Sequence, residues 1–539
     1  MLKIADLSII YPAQSGEQPA VDGVSFGLDG GEKLGLVGES GCGKSTIGKA
    51  ILGLLSPSTK IKGNILYEGR STLDFTPFQW RKFRGEAVGL VFQDPMTRLN
   101  PLMTIGDHCL ETLLAHQPHL SRRQAQETAG EVLEKVRIPP NRWGQYAHEF
   151  SGGMRQRVAM ALALLLKPRL IIADEPTTSL DVTVAQEILR ELTRLCNYEG
   201  MGLLLISHDL ALIGEYCDRV AVMYRGKIVE SGKAGDIFSR PSHEYTRSLL
   251  ASAFHVQVRP EKLQLSPRAS TVLTVKGLKQ YYTLEGNFLE QFLRQPKKVI
   301  KAVDDVSFHL YEGEIFGLVG ESGCGKSTLS RTILGLIPPT EGEVEFSGSK
   351  LTGLTPRQMR SQRKLIQMIF QDPSASLNPL MTVGDSIADA LLIHGLATPG
   401  EAHQKVKEML ERVGLWPVEE FYGRYPKQLS GGQQQRVGIA RALITRPRLV
   451  ICDEPVSMLD ASIQSQVLDL MLQLKADFNL TYLFITHDLW LARYLCDRVA
   501  VMSGGKIVEM GNTTAIFDSP QHPYTQKLLQ AAPMLRKKS

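Results

Sequence analysis

Two identical stretches of this chain have the composition to hold a polyphosphate. Gly38-Glu39-Ser40-Gly41-Cys42-Gly43-Lys44-Ser45-Thr46 returns letter for letter as Gly320-Glu321-Ser322-Gly323-Cys324-Gly325-Lys326-Ser327-Thr328. Both satisfy G-x-x-x-x-G-K-[ST], and both follow a short apolar run, Leu34 to Val37 and Phe316 to Val319. The order strand, Gly-rich turn, helix lets the backbone fold closely around phosphate oxygens at a helix N-terminus. Lys44 and Lys326 have the reach and charge for the β- and γ-phosphates, and Ser45 and Ser327 offer a hydroxyl to Mg²⁺. A second kind of chemistry stands further on. Asp174-Glu175 closes the apolar run Leu170 to Ala173, and Asp453-Glu454 closes its counterpart, Leu449 to Cys452. A carboxylate at the C-terminal edge of a buried parallel strand suits Mg²⁺ held through water. The adjacent Glu suits a general base on an attacking water. These residues imply two sites for a nucleoside triphosphate.

The elements that must position them are repeated too. Ser151-Gly152-Gly153, Asp174-Glu175-Pro176 and Ser207-His208-Asp209 recur as Ser430-Gly431-Gly432, Asp453-Glu454-Pro455 and Thr486-His487-Asp488, at one offset of 279 positions (430 − 151). That period is far too long for a solenoid and marks a duplicated domain. The expected division is 1–250 for the first domain, 251–271 for a linker containing Pro260 and Pro267, and 272–539 for the second. Each half opens with strand-like alternation (Leu2 to Tyr11, Leu273 to Tyr282), followed in the first by Ala20 to Leu28. The spacing predicts a helix from the phosphate loop to about Leu55 and a hairpin signalled by Gly63-Asn64 to Gly69. The middle of the half, from about Thr104 to Leu166, reads as helical, with a capping box at Ser121-Arg122-Arg123-Gln124. Leu170 to Ala173 and Gly202 to Ile206 read as central parallel strands covered by helices on both faces. Each half is therefore an α/β domain with a parallel-sheet core and a helical insertion. The second half carries an extra stretch, Glu285 to Lys298, expected to pack locally as a surface helix rather than to lie on a membrane.

At 539 residues the chain exceeds one core, and 43% hydrophobic with 22% charged residues is ordinary globular composition. A net charge of +5, spread rather than clustered, makes no case for nucleic acid. The longest apolar run, Val158 to Leu166, is far short of the roughly 18 residues a membrane span needs. Asp6 interrupts any secretory leader at the start, so a cytoplasmic chain is expected, with any membrane role exercised through partners. The seven cysteines show no C-x-x-C, which points to small apolar filler rather than metal ligands.

Taken together, these motifs resemble the nucleotide-binding domains of ABC transporters, over nearly the whole chain outside the linker. Ser151-Gly152-Gly153 and Ser430-Gly431-Gly432 match the family signature, as do the Gln of Phe92-Gln93-Asp94-Pro95 and Phe370-Gln371-Asp372-Pro373, and His208 and His487. The resemblance implies two tandem P-loop ATPase domains, each a parallel-sheet core with an antiparallel β subdomain and a helical subdomain. It implies ATP and Mg²⁺ as ligands, with Ser45, Gln93, Asp174, Ser327, Gln371 and Asp453 around the metal. Glu175, Glu454, His208 and His487 carry the catalytic work in the family, and Tyr11 and Tyr282 would stack on adenine. Asp181 and Asp460 would lie between the halves. The domains of the family close head to tail, so the loop at Gly38 would face Ser430-Gly431-Gly432 and the loop at Gly320 would face Ser151-Gly152-Gly153. One departure is visible. The second signature, Leu429-Ser430-Gly431-Gly432-Gln433, has the full family form, whereas Phe150-Ser151-Gly152-Gly153-Met154 differs at its first and fifth positions. Both sites are expected to hydrolyse ATP, with any weakness in the one built on Lys326.

The shared Leu-Asn-Pro after each Gln-Asp-Pro, and the closing His243-Glu244-Tyr245-Thr246 and His522-Pro523-Tyr524-Thr525, resemble the ATPases of bacterial oligopeptide, dipeptide and nickel importers. The chain is similar to the two ATPase subunits of such a system fused. The resemblance implies an energy-coupling subunit on the cytoplasmic face of the inner membrane, partnered by two transmembrane permease subunits and a substrate-binding protein. Peptide is the leading cargo, with nickel or another small solute as the alternative. Relatives that bind an iron–sulfur cluster carry a Cys-rich segment after the first domain; residues 251–271 contain no cysteine, so no cluster is expected. A ribosome-acting twin ATPase would need a long charged arm between the domains, and the linker here is short.

Overall fold

The computed structural model describes residues 1–12, 19–92, 99–177, 180–255, 270–283 and 299–532. The chain divides into two compact units, Met1–Phe254 and His255–Ala532. The segment predicted as an extra surface helix in the second half lies outside the described residues, as does most of the linker.

In the first unit, strands β1 (Leu2–Ile10), β2 (Pro19–Leu28), β4 (Lys60–Tyr67) and β5 (Arg70–Ser71) form an antiparallel sheet in the order β2-β1-β4-β5. A second sheet holds β3 (Lys33–Val37), β6 (Val88–Val91), β7 (Leu170–Asp174), β8 (Gly202–Ile206), β9 (Arg219–Tyr224) and β10 (Lys227–Lys233), ordered β10-β9-β3-β8-β7-β6. All its neighbours run parallel except β10 on β9. The second unit repeats both sheets. Strands β11 (Thr271–Thr283), β12 (Val299–Tyr311), β14 (Glu341–Phe346) and β15 (Ser349–Lys350) make the antiparallel sheet. The larger sheet is built from β13 (Ile315–Val319), β16 (Ile366–Ile369), β17 (Leu449–Asp453), β18 (Thr481–Thr486), β19 (Arg498–Ser503) and β20 (Lys506–Asn512). There again the edge pair β19–β20 alone is antiparallel.

The central strands are buried along their whole length because both faces are covered, as a parallel sheet requires. Alternation sorts their side chains between two cores. Leu170, Ile172, Leu204 and Ile206 face the antiparallel sheet and the helix Lys44–Ile51. Ile171, Ala173, Leu203 and Leu205 face the helical side, packing with helices Ile105–His116, Arg122–Lys135 and Gly152–Leu164. The expected parallel core, antiparallel sheet and helical layer are all present, and the capping box at Ser121 and Gln124 forms.

Two local expectations need correction. The helix after the phosphate loop ends at Ile51 rather than near Leu55, because Gly53 turns left-handed (φ 59°) against the Trp80 ring. Gly63 is not the hairpin turn; it lies within β4, opposite a bulge in β1 where Asp6 and Leu7 face this one residue. Its φ is 91°, and a Cβ there would meet the Asp6 carbonyl oxygen at 2.3 Å. The turn itself is Glu68-Gly69, both left-handed, which closes the short β4–β5 pair. All seven cysteines are buried and free, and burial pushes the thiols of Cys109, Cys196 and Cys217 up to about 12. No helix among the described residues is long and apolar enough to cross a membrane.

Candidate functional site

The phosphate loop leaves the end of β3 and enters the helix Lys44–Ile51 through Gly43, which is left-handed at φ 106°. The equivalent loop leaves β13 and enters the helix Lys326–Ile333 through Gly325 at φ 107°. Glycine is required at both ends of each loop. A Cβ on Gly38 would stand 2.2 Å from the Met223 carbonyl oxygen, and one on Gly43 2.4 Å from that of Ala20. Lys44 is 4% exposed, and its ammonium donates to the carbonyls of Gly38 (2.7 Å) and Glu39 (2.8 Å). Lys326 does the same on Gly320 (2.7 Å) and Glu321 (2.9 Å). A cavity of about 260 Å³ lies over the first loop, walled by Ser40, Gly41, Gly43, Lys44, Ser45, Thr46 and Glu175.

The strand ends bring the acidic residues to the same place. Ser45 Oγ donates to Asp174 Oδ1 at 2.8 Å, and Ser327 Oγ to Asp453 Oδ1 at 3.2 Å, across 129 and 126 residues of sequence. Burial pushes both aspartates above the ordinary carboxylate range, and the serine hydroxyls oppose that rise. A hydroxyl beside a carboxylate is an oxygen-only donor set that fits Mg²⁺.

Glu175 and Glu454 follow with positive φ, 47° and 48°, which is uncommon for a non-glycine residue. Each still donates its N–H to the neighbouring strand, Glu175 to Ile206 O and Glu454 to Ile485 O, both at 2.9 Å. The left-handed turn therefore comes at the last rung of the ladder. His208 Nδ1 lies 3.3 Å from Glu175 Oε1, and His487 Nδ1 lies 3.0 Å from Glu454 Oε2. Burial pulls His487 down, yet contact with Glu454 raises it overall. Glu454 ends below the ordinary glutamate value despite its own burial. In both cases the contact favours the charged form of the pair.

The remaining predicted residues divide between this cluster and another surface. Gln371 Nε2 donates to Glu454 Oε2 at 2.9 Å, so it stands on the glutamate rather than on the serine–aspartate pair. Its counterpart Gln93 lies outside the described residues. Tyr11 is 37% exposed and its hydroxyl donates to Thr46 Oγ1 at 3.4 Å, which sets its ring at the loop's rim. Tyr282, 39% exposed, sits near the end of β11. The signatures belong to the helical layer, and neither contributes to the walls of the first cavity. Ser151 and Ser430 are the N-caps of helices Gly152–Leu164 and Gly431–Leu443.

The change at the fifth signature position has a structural result. Gln433 returns a hydrogen bond to the Ser430 N–H (3.0 Å) and completes a capping box, whereas Met154 has no acceptor to return. Replacing Gln433 by Met is expected to cost about 0.5–1 kcal/mol of unfolding free energy. Urea unfolding of the second unit's transition checks this, and an unchanged midpoint would contradict it.

Sequence reasoning missed one set of contacts. Tyr245 and Tyr524, noted only as parts of a recurring terminal motif, return to the phosphate loops. The Glu39 N–H donates to Tyr245 Oη at 3.3 Å, and the Glu321 N–H to Tyr524 Oη at 3.4 Å. The recurrence of His-x-Tyr-Thr in both halves was the available signal. Each motif is tied to its edge strand by a glutamate. Glu230 accepts from the Ser242 N–H and hydroxyl (2.7 Å each) and the His243 N–H (3.1 Å); Glu509 accepts from the Gln521 (2.8 Å) and His522 (3.1 Å) N–H groups. Burial pushes these carboxyls up, but the hydrogen bonds together outweigh it and hold both below the ordinary glutamate value. Their stabilisation is therefore complete above the unfolded value of about 4.3 and is lost as pH falls through the lower folded value. The double variant Glu230→Gln/Glu509→Gln is expected to unfold at lower urea than wild type at about pH 6 and to lose less stability on acidification. Parallel pH slopes would refute that assignment.

Fold and site together define a phosphate-loop ATPase carried twice in one chain. The ABC transporter profile matches residues 21–178 and 303–457, and the oligopeptide/dipeptide transporter C-terminal region matches 229–280 and 508–539. The glutathione import ATP-binding protein GsiA of Shigella flexneri is 41% identical over 565 residues, covering 99% of this chain and 90% of that protein. GsiA of Escherichia coli (strain K12) gives the same identity and coverage. Among solved structures, a dimeric ATP-binding cassette with ADP and phosphate in a post-hydrolysis state is 30% identical, covering 45% of this chain and 98% of its own, with a TM-score of 0.40. The chain belongs to the ABC transporter ATP-binding family, in its oligopeptide/dipeptide branch. It is an ATP-hydrolysing subunit of a peptide-type importer with both cassettes fused.

Proposed function

We propose that each phosphate loop binds ATP and that the two halves, divided as 1–250, 251–271 and 272–539, pair within the chain. In this reading the loop at Gly38 takes its γ-phosphate donors from Ser430, Gly431 and Gly432. The loop at Gly320 takes them from Ser151, Gly152 and Gly153, with Asp181 and Asp460 between the halves. Lys44 and Lys326 exchange their carbonyl partners for phosphate oxygens, and Tyr11 and Tyr282 stack on adenine. Ser45 with Asp174, and Ser327 with Asp453, hold Mg²⁺, which neutralises charge on the phosphates when bound. Glu175 and Glu454 take a proton from water as its oxygen bonds to the γ-phosphorus and ADP leaves with the bridging oxygen. His208 and His487 orient that glutamate, reach the γ-phosphate and share the site with Gln93 and Gln371.

The observation that carries this reading is the doubly built cluster of Ser, Asp, left-handed Glu and His at the C-terminal strand edge. The partners are two transmembrane permease subunits and a substrate-binding protein, met at the cytoplasmic face of the inner membrane. The cargo belongs to the small-peptide class, and the 41% identical relatives named for glutathione import support a glutathione-like tripeptide. The cargo pocket lies in those partners, not in this chain. No iron–sulfur cluster takes part, a reading supported by the lack of cysteine in 251–271.

The test is purification of this chain from detergent-solubilised native membranes, with copurifying proteins identified. Two multi-span proteins and a binding protein that takes up a labelled tripeptide are the expected result. Ribosomal proteins with no membrane protein would overturn the transport reading.

A further inference from the structure

The geometry points to Tyr245 and Tyr524 as positioning residues of the two phosphate loops, through which the C-terminal motif of each unit sets ATP affinity. This rests on the nucleotide reading above and goes beyond it, because these tyrosines stand outside the residues assigned to the ATP sites.

Glu39 shows how the hydroxyl could act at a distance. Its N–H is taken by Tyr245 Oη (3.3 Å), while its carbonyl accepts from the Cys42 N–H (3.3 Å) and from Lys44 Nζ (2.8 Å). The loop's second residue is thus held on both sides, one side by the tyrosine and the other by the lysine that must meet phosphate. Glu321 repeats every contact, with Tyr524 Oη at 3.4 Å, the Cys324 N–H at 3.3 Å and Lys326 Nζ at 2.9 Å. The tyrosines come from 206 and 203 residues further along the chain, so local sequence does not enforce the contact.

The tyrosines are themselves seated. Each donates its backbone N–H to the histidine two residues earlier, Tyr245 to His243 Nδ1 (3.1 Å) and Tyr524 to His522 Nδ1 (3.2 Å). Glu230 and Glu509 tie those histidines' backbones to β10 and β20, the antiparallel edge strands. The rings are braced differently. Tyr245 stacks on Tyr224 with centroids 4.1 Å apart, whereas the second unit has Ser503 at the strand position equivalent to Tyr224. Burial pushes the Tyr524 hydroxyl up to about 12, so it remains a phenol throughout the working range. A neutral hydroxyl that accepts from the loop fixes the loop's entrance without adding negative charge next to the phosphates.

The experiment is direct titration of ATP with Mg²⁺ onto the full chain, comparing wild type with Tyr245→Phe, Tyr524→Phe and the double variant. Tyr198→Phe, a change at an exposed position, serves as the control. Loss of one loop hydrogen bond is expected to weaken ATP at the affected site by about 3–10-fold. KM for ATP should rise by a similar factor, with kcat within about twofold and melting temperature unchanged. Affinity within twofold of wild type in the double variant would overturn the inference. So would a loss of affinity matched by a lower melting temperature, which would mean that the tyrosines only stabilise the fold. Wild-type chain that bound no ATP would instead overturn the nucleotide reading on which this inference stands.

Discussion

Glu175→Gln and Glu454→Gln together take ATP turnover of the full chain down by about 10²- to 10⁴-fold, the usual worth of a general base. The exchange keeps the side chain's length and hydrogen-bonding shape and removes only its ability to take a proton. Both residues sit in a left-handed conformation at the last rung of their strands, with a histidine at 3.3 and 3.0 Å. That placement costs on the order of 1–3 kcal/mol of backbone strain, and both units carry it at the equivalent glutamate. The two single variants are expected to differ. Glu175 serves the site proposed to face the signature with the complete capping box at Ser430 and Gln433, so its loss should cost more than that of Glu454. Steady-state ATPase assays decide the matter, and full activity in both single variants would sink the assignment.

Gly43→Ala should unfold or empty the first site where Gly41→Ala only weakens it. Both glycines have positive φ, 106° and 78°, so either alanine meets a left-handed penalty of about 1–2 kcal/mol. Nothing lies within 4 Å of a Cβ on Gly41. A Cβ on Gly43 meets the Ala20 carbonyl oxygen at 2.4 Å, and that oxygen belongs to β2 and cannot withdraw. The expected cost for Gly43→Ala is about 3 kcal/mol or more, with ATP binding at that site abolished. Gly325→Ala should be at least as severe, since its Cβ would stand 1.9 Å from the Ala302 oxygen on β12. Denaturant unfolding and ATP titration of the four variants, including Gly323→Ala, test the contrast. Equal effects at Gly41 and Gly43 would contradict it.

Much of this was legible in the sequence because it is local or repeated. The loop glycines, the Asp-Glu pairs after apolar runs and the capping box at Ser121 each announce themselves within a few residues. Other features depend on what packs against them. Gly63 reads as a turn residue until β1 is placed beside it, and only then does the close approach of the Asp6 carbonyl show it facing the β1 bulge. The helix from Lys44 stops early because of the Trp80 ring beside Gly53, a neighbour from another element. The reversed direction of β10 leaves no mark on residue types. The left-handed glutamates are equally silent, since alternation and periodicity carry no information on the sign of φ. The contact from Tyr245 to Glu39 spans 206 residues and could have been suspected only from its recurrence in the second half.

The buried thiols make the chain its own chemical clock. Cys42, Cys109, Cys196 and Cys217 mark the first unit, and Cys324, Cys452 and Cys496 the second. With burial raising the thiols of Cys109, Cys196, Cys217 and Cys452, those four present almost no thiolate to an alkylating reagent at neutral pH while the protein is folded. Opening exposes each sulfur and returns it to ordinary reactivity, so labelled peptides date the event unit by unit. Cys42 and Cys324 go further, since each lies inside a phosphate loop. Protection of those two by ATP, with the deeper cysteines unaffected, would report occupancy of each half separately without any engineered probe.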